Sequence, residues 1–276
     1  MRYTIAALLV VSWGSLASSQ TAIPEKLRPI VEAERAFSRM SVEKGTREAW
    51  LAFMAENAIN FTPHPVNARE ATLARPPLPG PPKTTLKWEP KAGDVSASGD
   101  LGYNTGPYWR TDESEQERPP RYGYFFSVWK RQADGSFKVA IDAGIETPPH
   151  PGSFGTTAFR SMVTETKPQP SSTEAGEREV IEHDRAFLRK AESDTAAAYL
   201  EALGPNGRMH RSGHAPYTER AAIQSFLRGK PLKMKGEPID GDASPSGDLG
   251  YVYGSYTLFD AASPGTPSEK GYYVRV

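Results

Sequence analysis

The chain has 276 residues, of which 33 are basic and 33 acidic, so its formal net charge is zero. No block of lysine or arginine stands out, and the sequence therefore offers no electrostatic surface for nucleic acid or for an anionic membrane. It contains no cysteine, which excludes disulfides and thiol chemistry and leaves the burial of apolar side chains to stabilise the fold.

The first 19 residues, 1–19, are predicted to form a secretory signal peptide. One arginine precedes a short apolar run from Ile5 to Val11, and small residues follow as far as Ser19. The apolar run is shorter than the roughly 20 residues that span a bilayer, so we expect a cleaved signal rather than a membrane anchor. The expected location is the periplasm or the exterior of a bacterium.

Helical spacing of apolar residues predicts that the mature chain begins with an amphipathic helix, which carries Val31 and Phe37 on one face. The segments predicted after it are a helix over 47–56, an extended stretch near 59–62 and a short helix over 68–74. Four strands are predicted next, over 84–95, 101–111, 122–131 and 136–145. The Asp134-Gly135 pair predicts a tight hairpin between the last two strands.

The second half of the chain repeats the first. Residues 86–108 align without gaps on 234–256 with 14 identities in 23 positions, and both stretches contain the hexapeptide SGDLGY. We therefore predict two copies of one domain, over 25–146 and 177–276. Residues 147–176, rich in Pro, Ser, Thr and Gly, are predicted to be an exposed linker. The repeated SGDLG is explained by turn chemistry.

Helices followed by strands predict the α+β class, with the helices packed on one face of an antiparallel sheet. The other face of such a sheet is either wet or covered by a partner. A homodimer, or a pseudo-dimer of the two copies within one chain, is therefore expected to form through the sheet faces.

Five stretches carry a resemblance to a known superfamily: ERAF, AWLAFMAENAINFTP, REA, DVSASGDLGY and VWKRQADGSFKVAID. Together they resemble the nuclear-transport-factor-two-like superfamily, and within it an exported bacterial domain family of unknown function related to SnoaL-like proteins. The resemblance covers residues 25–146 and most of the second copy. It implies two tandem cone-shaped domains, in each of which a curved sheet wraps a helix and leaves a pocket. Because the superfamily contains isomerases, dehydratases, cyclases and non-catalytic proteins, it implies no reaction.

The second copy departs from this pattern at its end. Val276 aligns with Val128, so the second copy has no counterpart of the last strand of the first. Three explanations are open: a longer chain of which this is a part, completion of the sheet by another molecule, or a degenerate second domain. We expect the first.

Acidic residues at apolar positions are the first candidates for chemistry. Glu34 and Asp184 occupy the same place on the apolar face of the leading helix in the two copies, and Asp142 lies among apolar residues of the last strand. A buried carboxylate is costly unless it is paired or protonated. Each is therefore either a pocket acid suited to proton transfer or a structural acid satisfied by nearby donors.

Histidine and aromatic residues complete the candidates. His64 and His214 correspond in the two copies, near the mouth of the cone, where each is either a general base or a loop residue that packs locally. Trp50, Tyr103 and Tyr124 are candidate ligand contacts, with core packing as the alternative. No metal-ligand spacing or cofactor fingerprint occurs, so neither a metal nor a cofactor is expected.

Three functions remain open from the sequence. The first is an exported pocket protein that binds a small, largely apolar molecule. The second is an isomerase, dehydratase or cyclase, in which Glu34 or His64 moves a proton while a tyrosine or protonated Asp142 stabilises the oxyanion. The third is a structural pairing module. The scarcity of converging polar residues favours the first.

Overall fold

The computed structural model describes residues 23–61, 64–77, 80, 83–112, 119–149, 159–162, 172–229, 232–260, 262–263 and 265–276. The predicted signal peptide lies outside these residues. Within them, no helix is both long and apolar enough to cross a lipid bilayer.

The first half of the chain begins with helices and ends with strands. Its elements are α1 (Arg28–Lys44), α2 (Thr46–Phe53), β1 (Met54–Phe61), β2 (Pro65–Asn67), α3 (Ala68–Leu73), β3 (Thr84–Trp88), β4 (Ala92–Val95), β5 (Leu101–Asp112), β6 (Arg121–Arg131) and β7 (Phe137–Thr147). The α+β prediction is thus confirmed. The predicted hairpin is also present, with Gly135 at φ 83° between β6 and β7.

Two predicted element boundaries were wrong. The helix predicted to continue to Glu56 ends at Phe53, because the chain turns extended at Met54 and pairs there with Val139 of β7. Sheet pairing overrides helix propensity at this point. The strand predicted over 84–95 is two strands, β3 and β4, both paired with β5.

The sheet of the first half is mixed rather than antiparallel. Its strand order is β2-β1-β7-β6-β5-β4, with β3 also paired to β5. All of these neighbours are antiparallel except β1 and β7, which run in the same direction. A parallel pair needs a long connection, which the whole of the intervening chain supplies here. The prediction of a purely antiparallel sheet was wrong for the β1–β7 pair. The sequence indicates hairpins between consecutive strands, but it gives no sign of pairing between strands that are far apart in the chain.

Helix α1 lies against the inner face of this sheet. Its Phe37 is buried within an aromatic cluster, with ring centroids 4.8 Å from Trp50, 4.7 Å from Trp88 and 5.1 Å from Phe53. Edge-on and offset contacts of this kind stabilise a core by about 0.5–1.5 kcal/mol per pair beyond burial. The cluster fixes α1 and α2 at one end of the sheet.

Part of the segment predicted as an exposed linker belongs to the first sheet. Strand β8 (Arg160–Ser161) runs parallel to β4, with Arg160 N donating to Lys91 O at 2.7 Å. Phe159 is buried in the core of the first half. A short apolar segment can extend the sheet edge in this way although its composition resembles that of a linker.

The second half contains three helices and three strands among its described residues. These are α4 (Thr173–Ala191), α5 (Thr195–Ala202), α6 (Arg220–Arg228), β9 (Leu232–Ala243), β10 (Gly250–Asp260) and β11 (Pro267–Arg275). Helix α4 begins inside the predicted linker, where Ser172 caps it by accepting from Ala175 N. The three strands form an antiparallel sheet in the order β11-β10-β9.

Among the described residues, no strand of the second half corresponds to β7. The segment after α5, which corresponds to β1, forms an isolated bridge between Met209 and Tyr217. In the first sheet, by contrast, β1 pairs with both β2 and β7.

The outer faces of the two sheets pack against each other. Leu101, Val128 and Ile141 of the first sheet form one buried cluster with Tyr253 of β10. Phe61 of β1 meets Tyr253 edge-on, with ring centroids 5.8 Å apart. The outer face of the first sheet is therefore covered by the second half of the same chain.

Candidate functional site

A cavity of about 230 Å³ opens between the helices and the inner face of the first sheet. Aromatic and aliphatic side chains form about half of its wall, and polar or charged side chains form most of the rest. The lining residues are Trp50, Asn60, Phe61, Leu86, Trp88, Tyr108, Arg110, Arg121, Phe125, Asp142, Ala143, Gly144 and Glu146. A concave apolar site with few polar groups is typical of small-molecule sites in proteins.

The period of two along the strands places the polar residues in this cavity. On β7, Asp142 and Glu146 lie four residues apart and so face the same side of the sheet. On β5, Tyr108 and Arg110 likewise share one face, opposite Trp88 and Leu86 of β3 in register. Strands β3, β5 and β7 thus all contribute to the lining, as do β6 between β5 and β7 and β1 beside β7.

Asp142 is the acid of the cavity. Its Oδ2 accepts a hydrogen bond from Asn60 Nδ2 at 2.9 Å. Burial, the larger cause, and the carboxylate of Glu34 together raise its pKa from 3.8 to about 7, against the opposing effect of the bond from Asn60. The side chain lies deep in the protein yet keeps partial access to water because it faces the cavity. A carboxyl with such a pKa can donate or accept a proton near neutrality.

Glu34 lies on the other side of the cavity wall. It is 1% exposed and accepts hydrogen bonds from Trp88 Nε1 and Trp129 Nε1, both at 2.6 Å. Ser127 Oγ and Asn104 Nδ2 also donate to it. Burial raises the pKa of Glu34, and the four hydrogen bonds lower it. Glu34 does not line the cavity, whereas Trp88, to which it is bonded, does. The charge of Glu34 therefore raises the pKa of Asp142 from within the protein core.

A glycine brings a tyrosine to the mouth of the cavity. The ring of Tyr108 lies over Gly123, where a Cβ would come within 2.3 Å of the ring. Burial, the larger cause, and the charge of Glu146 together raise the pKa of Tyr108 to about 12, against the opposing charges of Arg121 and Arg110. The hydroxyl therefore stays protonated and lies near both arginines. Gly271 and Tyr256 repeat the arrangement in the second half.

Two arginines lie directly opposite each other at this mouth. Arg110 of β5 and Arg121 of β6 are cross-strand partners in the sheet register. Arg121 lies 3.7 Å from Glu146, and both side chains are exposed, which makes the pair weak. Like charges directly opposite destabilise a sheet, so this end of the cavity carries an unfavourable positive charge.

The other predicted residues of the first copy are dispersed. Trp50 lines the cavity. His64 is exposed and does not line it. Tyr103 stacks on Phe126, with ring centroids 5.4 Å apart, on the face that meets the second half. Tyr124 contacts the ring of His210 of the second half at 6.1 Å. The two tyrosines thus lie on the outer face of the sheet, away from the cavity.

Asp184, the counterpart of Glu34 in the second half, is stabilised by an ion pair, whereas Glu34 is held by neutral hydrogen-bond donors. Asp184 accepts from Tyr273 Oη at 2.5 Å and forms an ion pair with Arg275. At an offset of 148 residues, Arg275 takes the place of Ser127, and Gly236 takes the place of Trp88. Two of the four hydrogen-bond donors to Glu34 have therefore been replaced, and a shorter acid meets a longer donor.

His214, the counterpart of His64, packs inside the second half. Its Nδ1 lies 3.1 Å from Tyr217 Oη, and its ring contacts Phe226 at 5.3 Å. It is half-buried and takes no part in the cavity described above.

Asn60, Arg110 and Arg121 were not predicted as site residues. Asn60 reaches Asp142 only because β1 runs beside β7, which the sequence does not reveal. Arg110 could have been found, since it lies two residues from Tyr108 on the same face of a predicted strand.

No protein-family profile and no curated protein sequence matches the chain. Solved structures similar to part of it include a ketosteroid isomerase-like protein from Erwinia carotovora atroseptica, with 15% identity and a TM-score of 0.37 over 46% of this chain and 100% of that one. An NTF-2 like protein of unknown function from Shewanella oneidensis matches with 15% identity and a TM-score of 0.35, over 42% of this chain and 96% of that one.

Proposed function

We propose that the first domain binds a small, largely apolar molecule in this cavity, with one polar group of the ligand held by Asp142. The observation that carries the proposal is a carboxyl with a pKa near 7 inside an aromatic-walled cavity. At a pH below its pKa, Asp142 is protonated and can donate a hydrogen bond to a carbonyl or hydroxyl oxygen of the ligand. Asn60 holds the other side of the carboxyl.

The size of the cavity limits the ligand. Drug-sized molecules occupy sites of roughly 300–1,000 Å³, and the cavity here is smaller, at about 230 Å³. It accommodates a molecule of one or two rings. Trp50, Trp88 and Phe125 offer the flat apolar surfaces on which such rings pack.

A cavity-filling substitution tests the proposal. Gly144 lines the cavity, and a Cβ there would lie 3.5 Å from the Tyr108 ring, an ordinary contact. We expect Gly144→Leu to fold and to lose the ligand that native mass spectrometry detects in the purified protein. Gly204→Leu is the control, because a Cβ at Gly204 meets no atom within 4 Å. Failure to detect any ligand or to bind any ring-sized probe would contradict the proposal.

Acid-base catalysis is the second candidate, and the same carboxyl favours it. Above pH 7 the Asp142 carboxylate is a base in an apolar site, as proton abstraction from carbon requires. A benzisoxazole probe tests this: the base takes the ring C–H proton, the electron pair forms a nitrile, and the N–O bond breaks to give a phenolate. We expect turnover to rise with pH through about 7 and to vanish in Asp142→Asn.

We propose a structural role for the second domain, which covers the outer face of the first sheet as an intramolecular partner. The cluster of Leu101, Val128 and Ile141 with Tyr253 supports this proposal. Export to the periplasm or the exterior remains a proposal from the N-terminal sequence alone.

A further inference from the structure

We propose that the ligand of the cavity is a carboxylate anion and that Arg110 binds its charged group. This inference rests on the proposed binding function and adds the chemical class of the ligand. An aromatic monocarboxylate of one or two rings meets the requirements of the site, with its rings on the apolar wall and its carboxylate at the arginine end.

The environment of Arg110 is the first argument. The side chain lines the cavity, is partly buried and has a fully buried Nε that makes no hydrogen bond. Among the described residues, no acceptor or carboxylate forms a hydrogen bond or ion pair with its guanidinium. Burying a charged donor without a partner is costly. A ligand anion would remove that cost.

The charge balance of the lining is the second argument. Arg110 and Arg121 are opposed by Glu146 and Asp142, and the last of these is protonated below its pKa of about 7. The described lining residues then carry one more positive than negative charge. Glu146 neutralises Arg121 only weakly, because both side chains are exposed and their charged atoms lie 3.7 Å apart. The excess charge therefore lies at the Arg110 end.

The form of the arginine is the third argument. A guanidinium presents parallel N–H donors that match the two oxygens of a carboxylate. The cross-strand position of Arg121 lets both cations approach one anion, which would relieve their mutual repulsion. Glu146 is held in place by the second half of the chain, because Gly213 N donates to its backbone oxygen at 2.8 Å.

Isothermal titration of a matched pair of probes tests the inference. The pair is 2-naphthoate and its neutral analogue 2-naphthamide, which differ in charge but hardly in shape. We expect the wild-type protein to bind the carboxylate about tenfold or more tightly than the amide, as a charge-assisted hydrogen bond allows. We expect Arg110→Met to lose that preference, because the variant loses far more affinity for the carboxylate than for the amide.

Two further variants complete the experiment. Arg39→Met, on the exposed side of α1, is the matched control for the loss of one positive charge and is expected to keep the preference. Arg110→Lys keeps the positive charge but lacks the parallel N–H donors of a guanidinium. We therefore expect its preference for the carboxylate to lie between those of the wild type and Arg110→Met. Because no group among the described residues bonds to Arg110, its replacement by Met is expected not to lower the melting temperature.

The outcomes separate the two proposals. Equal affinity of the wild-type protein for both probes would refute the anion proposal and leave the binding function standing. A preference that survives in Arg110→Met would refute the role of Arg110. If neither probe binds, and neutral naphthalene does not bind either, the proposed function itself fails.

Discussion

The hydroxyl of Ser98 lies 2.9 Å from the hydroxyl of Ser246, the residue at the same position in the other SGDLGY hexapeptide. When equivalent residues of two copies touch each other, they lie on the axis that relates the copies. Both turns have the same geometry, with Gly99 and Gly247 each at φ 68°. The repeated hexapeptide is thus a turn that packs on its own counterpart.

The contact is not fully symmetric, and the sequence explains why. Ala97 N donates to Asp248 Oδ2 across the two halves, at 2.9 Å. The equivalent bond to Asp100 would need an N–H at position 245, where the chain has proline. Proline has no backbone N–H. Of the two aspartates, only Asp248 can therefore accept this backbone bond from the opposite turn.

The first prediction follows from this asymmetry. Asp248→Ala removes a bond within its own turn and the bond from Ala97, whereas Asp100→Ala removes bonds from Ser96 and Ser98 of its own turn. Each substitution thus removes two bonds, but one of the Asp100 bonds is exposed whereas both Asp248 bonds are partly buried, so we expect Asp248→Ala to lower the free energy of unfolding more than Asp100→Ala does, by about 0.5–1 kcal/mol. Urea denaturation of the two variants measures the difference. Equal losses would mean that the bond between the two halves contributes no more than an exposed bond within one turn.

Much of this fold can be predicted from the sequence because its signals are local. The helical periods, the Asp134-Gly135 hairpin and the SGDLGY turns depend on residues close together in the chain. Pairings between distant segments have no such signal. The parallel contact of β1 with β7, and the addition of β8 to the edge of the sheet, were missed for that reason.

The candidate site shows the same division. Glu34 and Asp142 can both be recognised as acids among apolar residues, but the sequence cannot say which one faces the cavity. The answer depends on Trp88, which donates to Glu34 and at the same time forms cavity wall. Tyr103 and Tyr124 point to the other face, where the second half of the chain covers them.

The second prediction concerns stability and pH. The pKa of Asp142 is raised from 3.8 in the unfolded chain to about 7 in the folded protein. The stability that protonated Asp142 contributes to the folded protein is therefore fully present below pH 3.8 and is lost as the pH rises to about 7. We expect Asp142→Asn, which can still accept from Asn60, to be more stable than the wild type at pH 8 and to show a weaker pH dependence.

The size of this effect is bounded by the access of water to the cavity. If the whole rise of the pKa from 3.8 to about 7 is counted, ionisation of Asp142 lowers the free energy of unfolding by at most about 4 kcal/mol. Because the side chain reaches water through the cavity, we expect a gain of about 2 kcal/mol or less at pH 8. Unfolding measured from pH 4 to pH 8 checks it. A wild-type curve parallel to that of the variant would contradict the raised pKa.

The third prediction concerns the influence of Glu34 on Asp142. The Glu34 charge raises the pKa of Asp142, so Glu34→Gln is expected to lower that pKa. The pH at which the benzisoxazole reaction reaches half its maximum should fall with it. The variant should also be less stable, by about 1–3 kcal/mol, since a glutamine NH₂ would face donors such as Trp88 and Trp129. An unchanged pH profile in a folded variant would show that Glu34 does not act on the site.

The fourth prediction concerns the replacement of hydrogen bonds by charge in the second half. Asp184 is 3% exposed in its side chain, whereas Arg275 is 21% exposed and stacks on Phe187 and Tyr273 at 4.0 and 3.8 Å. Removing the arginine leaves a buried carboxylate with Tyr273 as its donor. Removing the acid leaves a guanidinium that retains two aromatic faces and some water. The two substitutions should therefore have unequal costs.

We accordingly expect Arg275→Met to lower the free energy of unfolding by about 3 kcal/mol or more, and Asp184→Asn by distinctly less. The double variant should recover part of the loss caused by Arg275→Met, because no buried charge then remains unmatched. Urea denaturation of the wild type, both single variants and the double variant gives the coupling energy. Equal single costs that simply add would mean that the ion pair does not carry the burial of Asp184, and that Tyr273 alone is enough.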